Sequence, residues 1–80
     1  MIYFESNSKD KKILIINEEN SFIELTKDSG DRTIDITFLR ETSTYSSVLY
    51  YNNAEELNND YKKLIKIIRN NLNIAIIEEK

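Results

Sequence analysis

Apolar residues recur at every second position in several segments up to Tyr51, then at every third or fourth position from Ala54 to Leu72. A period of two belongs to strands with one buried face, and a period of 3.6 to a helix with one buried stripe. The change of period therefore predicts strands first and a long helix after. Across residues 1–80 we expect a single α+β domain: a small antiparallel β-sheet of four to six strands, with one long amphipathic helix packed on one face and an N-terminal β-meander ahead of it.

Within the strand region, Ile2 to Glu5 is a short alternating segment, and Lys12 to Ile16 is an apolar run bounded by Asn17, Glu18, Glu19 and Asn20. Ile23 and Leu25 then alternate with polar neighbours, Asp28-Ser29-Gly30-Asp31 intervenes, and Ile34, Ile36 and Phe38 alternate again. This is the pattern of a hairpin. A two-residue Ser29-Gly30 loop would pair Leu25 with Ile34 and set Glu24 opposite Asp35. Ser47 to Tyr51 reads as a further strand after a polar connection that includes Tyr45.

In the helix, Ala54, Leu57, Tyr61, Leu64, Ile65, Ile68 and Leu72 make one apolar stripe. Asn53 is placed to cap it, Glu55, Glu56 and Asp60 complement the positive end of the dipole, and Lys62, Lys63, Lys66 and Arg69 the negative end. Asn70, Asn71 and Asn73 favour a stop, leaving Ile74 to Ile77 free to form a short terminal strand.

A chain of 80 residues buries only about 60 to 65 % of its unfolded surface. With no cysteine, it must rely on its core or on a partner. The absence of both cysteine and histidine removes thiol nucleophiles, imidazole bases and the usual zinc ligands. No glycine-rich phosphate loop, nucleophile elbow or EF-hand loop is present, so neither an enzyme nor a cofactor or metal is expected. Met1 to Ser6 has no basic stretch of the secretory type, and the run Ile13 to Ile16 is too short to cross a bilayer, so a cytoplasmic protein without membrane attachment is expected.

The face of the sheet away from the helix is the candidate binding surface. Four consecutive apolar residues, Ile13 to Ile16, send two side chains outward in either phase, and Phe22 points the same way. Between Asn17 and Glu41 seven acids (Glu18, Glu19, Glu24, Asp28, Asp31, Asp35 and Glu41) outweigh Lys27, Arg32 and Arg40. Lys27, Arg32 or Lys12 could neutralise the Glu24 and Asp35 pair. Tyrosine joins large contact area to a polar tip at small entropic cost, which suits an interface. A protein partner is thus expected at Phe22, Glu24, Asp28, Asp31, Asp35, Tyr45 and Tyr51, with a homodimer as another use of the same face.

The alternative is a single-stranded nucleic-acid binder in which Lys62, Lys66 and Arg69 hold phosphates while tyrosines stack on bases. A net charge of -3 and an acidic sheet disfavour it. A third class is a homo-oligomeric structural accessory domain. No motif assigns the chain to a family. In size and composition, with thirteen isoleucines and ten asparagines, it is similar to many small phage or mobile-element proteins, including inhibitors of host defence enzymes. That resemblance implies an acidic surface that engages the basic groove of a nucleic-acid-processing enzyme.

Overall fold

A computed structural model describes residues 2–16, 22–39, 43–71 and 75–80. Among these residues six strands and one helix occur in the order β1 (Ile2–Glu5), β2 (Ile13–Ile16), β3 (Phe22–Asp28), β4 (Thr33–Leu39), β5 (Thr44–Tyr50), α1 (Ala54–Asn71) and β6 (Ala75–Glu79). The α+β architecture, with a strand series ahead of one amphipathic helix, is the one the change of period predicts.

The strands form two sheets, an antiparallel pair β1-β2 and a four-stranded sheet in the order β5-β4-β3-β6. Its first three strands are antiparallel neighbours, and β6 returns after the helix to lie parallel to β3. A helical crossover is the usual way to bring two strands parallel within one sheet. The terminal strand expected near Ile74 to Ile77 thus exists as Ala75–Glu79, while Leu72, Asn73 and Ile74 lie outside the described residues, as do Asn17, Glu18, Glu19 and Asn20.

One cluster holds the core. Ile23, Leu25, Ile34, Ile36, Phe38 and Leu49 come from one side of the four-stranded sheet, and Leu57, Tyr61, Leu64 and Ile68 from the helix. Phe4, Leu14 and Ile16 bring the inner side of the β1-β2 pair into the same cluster. Each fully buried side chain of this kind contributes about 1.5 to 3 kcal/mol relative to exposure, opposed by the ordering of the chain. Ala54, expected in the stripe, is exposed, whereas Ile67 packs against the core together with Ile65.

The helix starts where its cap predicts, since Asn53 Oδ1 accepts the Glu56 N–H at 2.9 Å. Glu55 and Glu56 occupy the first turn and Arg69 the last. Both ends of the dipole are therefore complemented. No helix among the described residues is long and apolar enough to cross a membrane.

The hairpin register differs from the expected one. Leu25 pairs with Ile36, Ile23 with Phe38 and Asp28 with Thr33, leaving Ser29 to Arg32 as the loop. Three hydrogen bonds explain the longer turn. Asp28 Oδ1 accepts the Asp31 N–H at 3.1 Å, and the Arg32 carbonyl accepts the Tyr51 N–H at 2.9 Å while its guanidinium donates to the Asn52 carbonyl at 2.7 Å. Arg32, at φ 54°, takes the left-handed conformation, and Gly30 has no positive φ. A tight two-residue turn of the mirror type needs positive φ at its centre, and here the bend is made one corner later. The shift is two residues, so every side chain keeps its face.

That register removes the expected opposition of carboxylates. Glu24 stands opposite Thr37, and Asp35 stands between Thr26 and Val48. None of the three bases expected beside them is used there: Lys12 Nζ donates to the Val48 carbonyl at 3.2 Å, Arg32 reaches Asn52, and Lys27 turns to the helix side.

Candidate protein-interaction surface

Alternation along β3, β4, β5 and β6 sends a second set of side chains away from the helix. On β3 these are Phe22, Glu24, Thr26 and Asp28, and on β4 Thr33, Asp35, Thr37 and Leu39. β5 adds Thr44, Ser46, Val48 and Tyr50, in register with them. Thr37 and Ser46 join across the strands, Oγ1 to Oγ at 3.1 Å. Hydroxyl pairs of this kind are ordinary cross-strand contacts of a solvated face.

The carboxylates Glu24 and Asp35 are exposed at the centre of this face. Asp28 is half-buried at its end, tied to the turn through Asp31, which is itself exposed. The parallel return of β6 places Glu78 beside Thr26 and Ile76 beside Glu24. Glu78 is a surface acid the sequence reading did not include, and its signal was the alternation of Ile76 and Glu78 in the terminal segment. Among the described residues, these four strands carry no Lys or Arg on this face. Glu18, Glu19, Arg40 and Glu41 lie outside the described residues.

Two tyrosines assigned to the surface stand elsewhere. Tyr51 is 2 % exposed and its hydroxyl donates to Asp60 Oδ2 at 2.7 Å. Burial, the Asp60 hydrogen bond and charge, and more distantly Glu56 all push its hydroxyl far above the ordinary tyrosine range, so it remains a donor. Tyr51 is therefore removed from the binding set. Tyr45 is 63 % exposed but on the helix side of β5, opposite Phe38, with ring centroids 6.1 Å apart. It belongs to a strand that begins at Thr44 and not to a loop. Phe22 is on the outer face, half-buried at its margin, and Tyr50 is the exposed tyrosine there.

Asp60, which the sequence places among the acids serving the helix dipole, is 0 % exposed. It sits on the buried side of α1 between Leu57 and Leu64, one turn from each, a position the helical wheel could have revealed. Besides Tyr51, it accepts the Asn7 N–H at 2.7 Å and the Asn7 Nδ2 at 3.1 Å. One carboxylate thus ties the β1-β2 loop and the end of β5 to the helix. The loop is further held by Ser6 and Ser8, both buried, whose hydroxyls meet at 2.7 Å. Asp60 is a structural fastening with no access to a ligand.

Lys27 closes the other flank of the same turn of the helix, through Asn58 and Tyr61. Its ammonium donates to Asn58 Oδ1 at 2.9 Å, lies 3.5 Å from Glu79 Oε1 and sits 4.8 Å from the centre of the Tyr61 ring. Burial, with a contribution from Glu79, raises the Tyr61 hydroxyl pKa, against an opposing effect of Arg69.

The bases of the helix occupy the opposite side of the molecule from the acidic face. Leu57, Tyr61, Leu64 and Ile68 face the sheet, so Lys62, Lys66 and Arg69, all exposed, project from the far side of α1. None of the three has an ion-pair partner among the described residues. These three bases are thus separated from the acids of the sheet face by the thickness of the fold, and phosphates held on the helix could not also meet bases stacked on the sheet.

The β1-β2 pair has an outer side of its own. Tyr3, Ile13 and Ile15 are exposed there, with Tyr3 opposite Ile15 and Glu5 opposite Ile13. The expected outward projection of two side chains from Ile13 to Ile16 is met, but on a sheet separate from the one that carries Phe22. No family model, curated protein or solved structure matches this chain.

Proposed function

We propose that this chain is a non-enzymatic protein-binding module that acts in the cytoplasm as an inhibitor or regulator of the phage or mobile-element kind. It docks the acidic outer face of its four-stranded sheet onto a basic surface of a host protein. The observation that carries this reading is the segregation of charge: Glu24, Asp35 and Glu78 are exposed on a face whose strands bring no base to it, and Lys62, Lys66 and Arg69 project from the opposite side. A surface of one sign steers a partner of the other and repels wrong ones. A nucleic-acid-processing enzyme, with a groove built for phosphates, presents the complementary potential.

The test is affinity capture from a bacterial lysate with three baits: the parent, the variant Glu24→Lys/Asp35→Lys/Glu78→Lys, and the variant Lys62→Glu/Lys66→Glu/Arg69→Glu. The expected outcome is a protein retained by the parent and the helix variant and lost by the sheet variant. Retention by the sheet variant and loss by the helix variant, or submicromolar binding of the parent to an oligonucleotide at physiological salt, would overturn the reading in favour of a nucleic-acid binder.

A further inference from the structure

The edges of the four-stranded sheet are unequal. β6 ends in Glu78 and Glu79, charges of the kind that discourage edge-to-edge pairing. β5 has the sequence Thr44-Tyr45-Ser46-Ser47-Val48-Leu49-Tyr50, with no charge, no proline and no glycine. It is a strand-forming segment at an edge, with none of the charges or prolines that usually guard one.

The hydrogen-bonding phase of β5 shows which groups are open. Tyr51 donates its N–H to the Arg32 carbonyl, so in the β4-β5 register the odd-numbered residues of β5 bond to β4 and the even-numbered ones point outward. Two outward carbonyls are already used. Tyr50 O accepts the Lys9 N–H at 2.7 Å and Val48 O accepts Lys12 Nζ at 3.2 Å. The β1-β2 loop thus covers the far half of this edge, and Thr44 and Ser46, both exposed, keep their outward N–H and C=O groups for another strand.

We propose that this half-edge pairs with the same half-edge of a second copy, antiparallel about a two-fold axis, with Thr44 of each chain opposite Ser46 of the other. Only this register pairs the outward N–H and C=O groups of Thr44 and Ser46 in both chains without calling on the carbonyls of Val48 and Tyr50. It brings the two copies of Tyr45 directly opposite one another at the axis. Tyr45 is exposed although its neighbour Phe38 is buried, and pairing would supply the cover that the helix does not extend to it. A two-fold contact is self-complementary, so it needs a segment that does not repel itself. β5 meets that need, and it holds the two copies of β4 about 14 Å apart across three strand spacings, beyond a Debye length of about 8 Å at physiological salt, with the two Asp35 carboxylates offset farther still along the strands. The axis is perpendicular to the sheet, so both acidic faces lie on the same side of the dimer.

The chain has no cysteine, so one introduced thiol reports the geometry directly. Residues opposite each other in a pair of the non-hydrogen-bonded type approach closely enough for a disulfide. Thr44→Cys, Tyr45→Cys, Ser46→Cys and Tyr50→Cys variants, each shown to melt like the parent, are oxidised mildly over a range of protein concentrations. Tyr45→Cys is expected to form a covalent dimer many-fold faster than Tyr50→Cys, which is also exposed but lies on the covered half. In the parent, the amides of Thr44 and Ser46 should gain protection from hydrogen exchange as concentration rises, whereas those of Tyr45 and Ser47 are protected throughout. Equal crosslinking at Tyr45→Cys and Tyr50→Cys, or a parent that sediments as a monomer with Thr44 and Ser46 amides unprotected at every concentration, would overturn the proposal. Fastest crosslinking at Ser46→Cys would overturn the register.

Discussion

Replacement of Asp60 by alanine should be among the most damaging single changes in this chain. Its carboxylate accepts three hydrogen bonds, two from Asn7 and one from Tyr51. Hydrogen bonds to charged groups contribute about 1.5 to 3 kcal/mol each, and donors left buried without a partner cost about 1 to 3 kcal/mol. The two bonds from Asn7 share one partner and do not add fully, so we expect Asp60→Ala to cost about 3 to 5 kcal/mol. A domain of 80 residues has about 4 to 12 kcal/mol in total. The variant would be close to unfolding at room temperature. Asp60→Asn separates charge from hydrogen bonding: one amide oxygen can still accept from the Asn7 N–H and Tyr51, and with the Asn7 amide turned over its own NH₂ can donate to the Asn7 oxygen. That variant should lose only about 1 kcal/mol, the scale of a neutral hydrogen bond. Urea melts followed by circular dichroism, with unchanged slopes, measure all three proteins. If Asp60→Ala shifts stability by less than about 1 kcal/mol, the fastening role assigned to this carboxylate is refuted.

Alkaline pH should destabilise the chain through Tyr51. In the folded state its hydroxyl stays protonated well above the ordinary value of 10.0, so above that pH the unfolded chain binds fewer protons and stability falls by about 1.4 kcal/mol per pH unit for this residue. The contribution is intact below pH 10.0, and Tyr51→Phe should flatten the decline seen in melts repeated at rising pH, with Tyr61 accounting for part of what remains. Leu64→Ala, at a fully buried position of the helix stripe, should cost about 2 to 5 kcal/mol in the same denaturant assay.

The helix and its cap were legible because both rest on local spacing: Asn53 to Glu56, and Leu57, Tyr61, Leu64 and Ile68 at steps of three and four. Strand faces were legible for the same reason, since a period of two assigns each side chain to a side. Register was not, because a slip of two residues leaves every face unchanged, and the choice was made by Arg32 meeting Tyr51 and Asn52 across twenty positions of chain. The outer face was read in part. Glu24, Asp28, Asp31 and Asp35 follow from alternation and the turn, but Glu78 joins them only through the parallel return of β6, and Tyr51 leaves the set because a buried carboxylate waits for it. Asp60 shows the limit of reading acids near a helix start as dipole partners, for its place between Leu57 and Leu64 on the wheel outweighs its distance from the end.

The central claim is that the acidic sheet face guides the chain to a basic protein surface, and its most direct test is the association rate with the captured partner as a function of ionic strength. Steering by opposite charge acts mainly on the on-rate and weakens as salt shortens the range of the field. The expected result is a parent on-rate that falls steeply with added salt, and a Glu24→Lys/Asp35→Lys/Glu78→Lys variant that associates slowly with little salt dependence. On-rates that are equal for the two proteins at every ionic strength would contradict it.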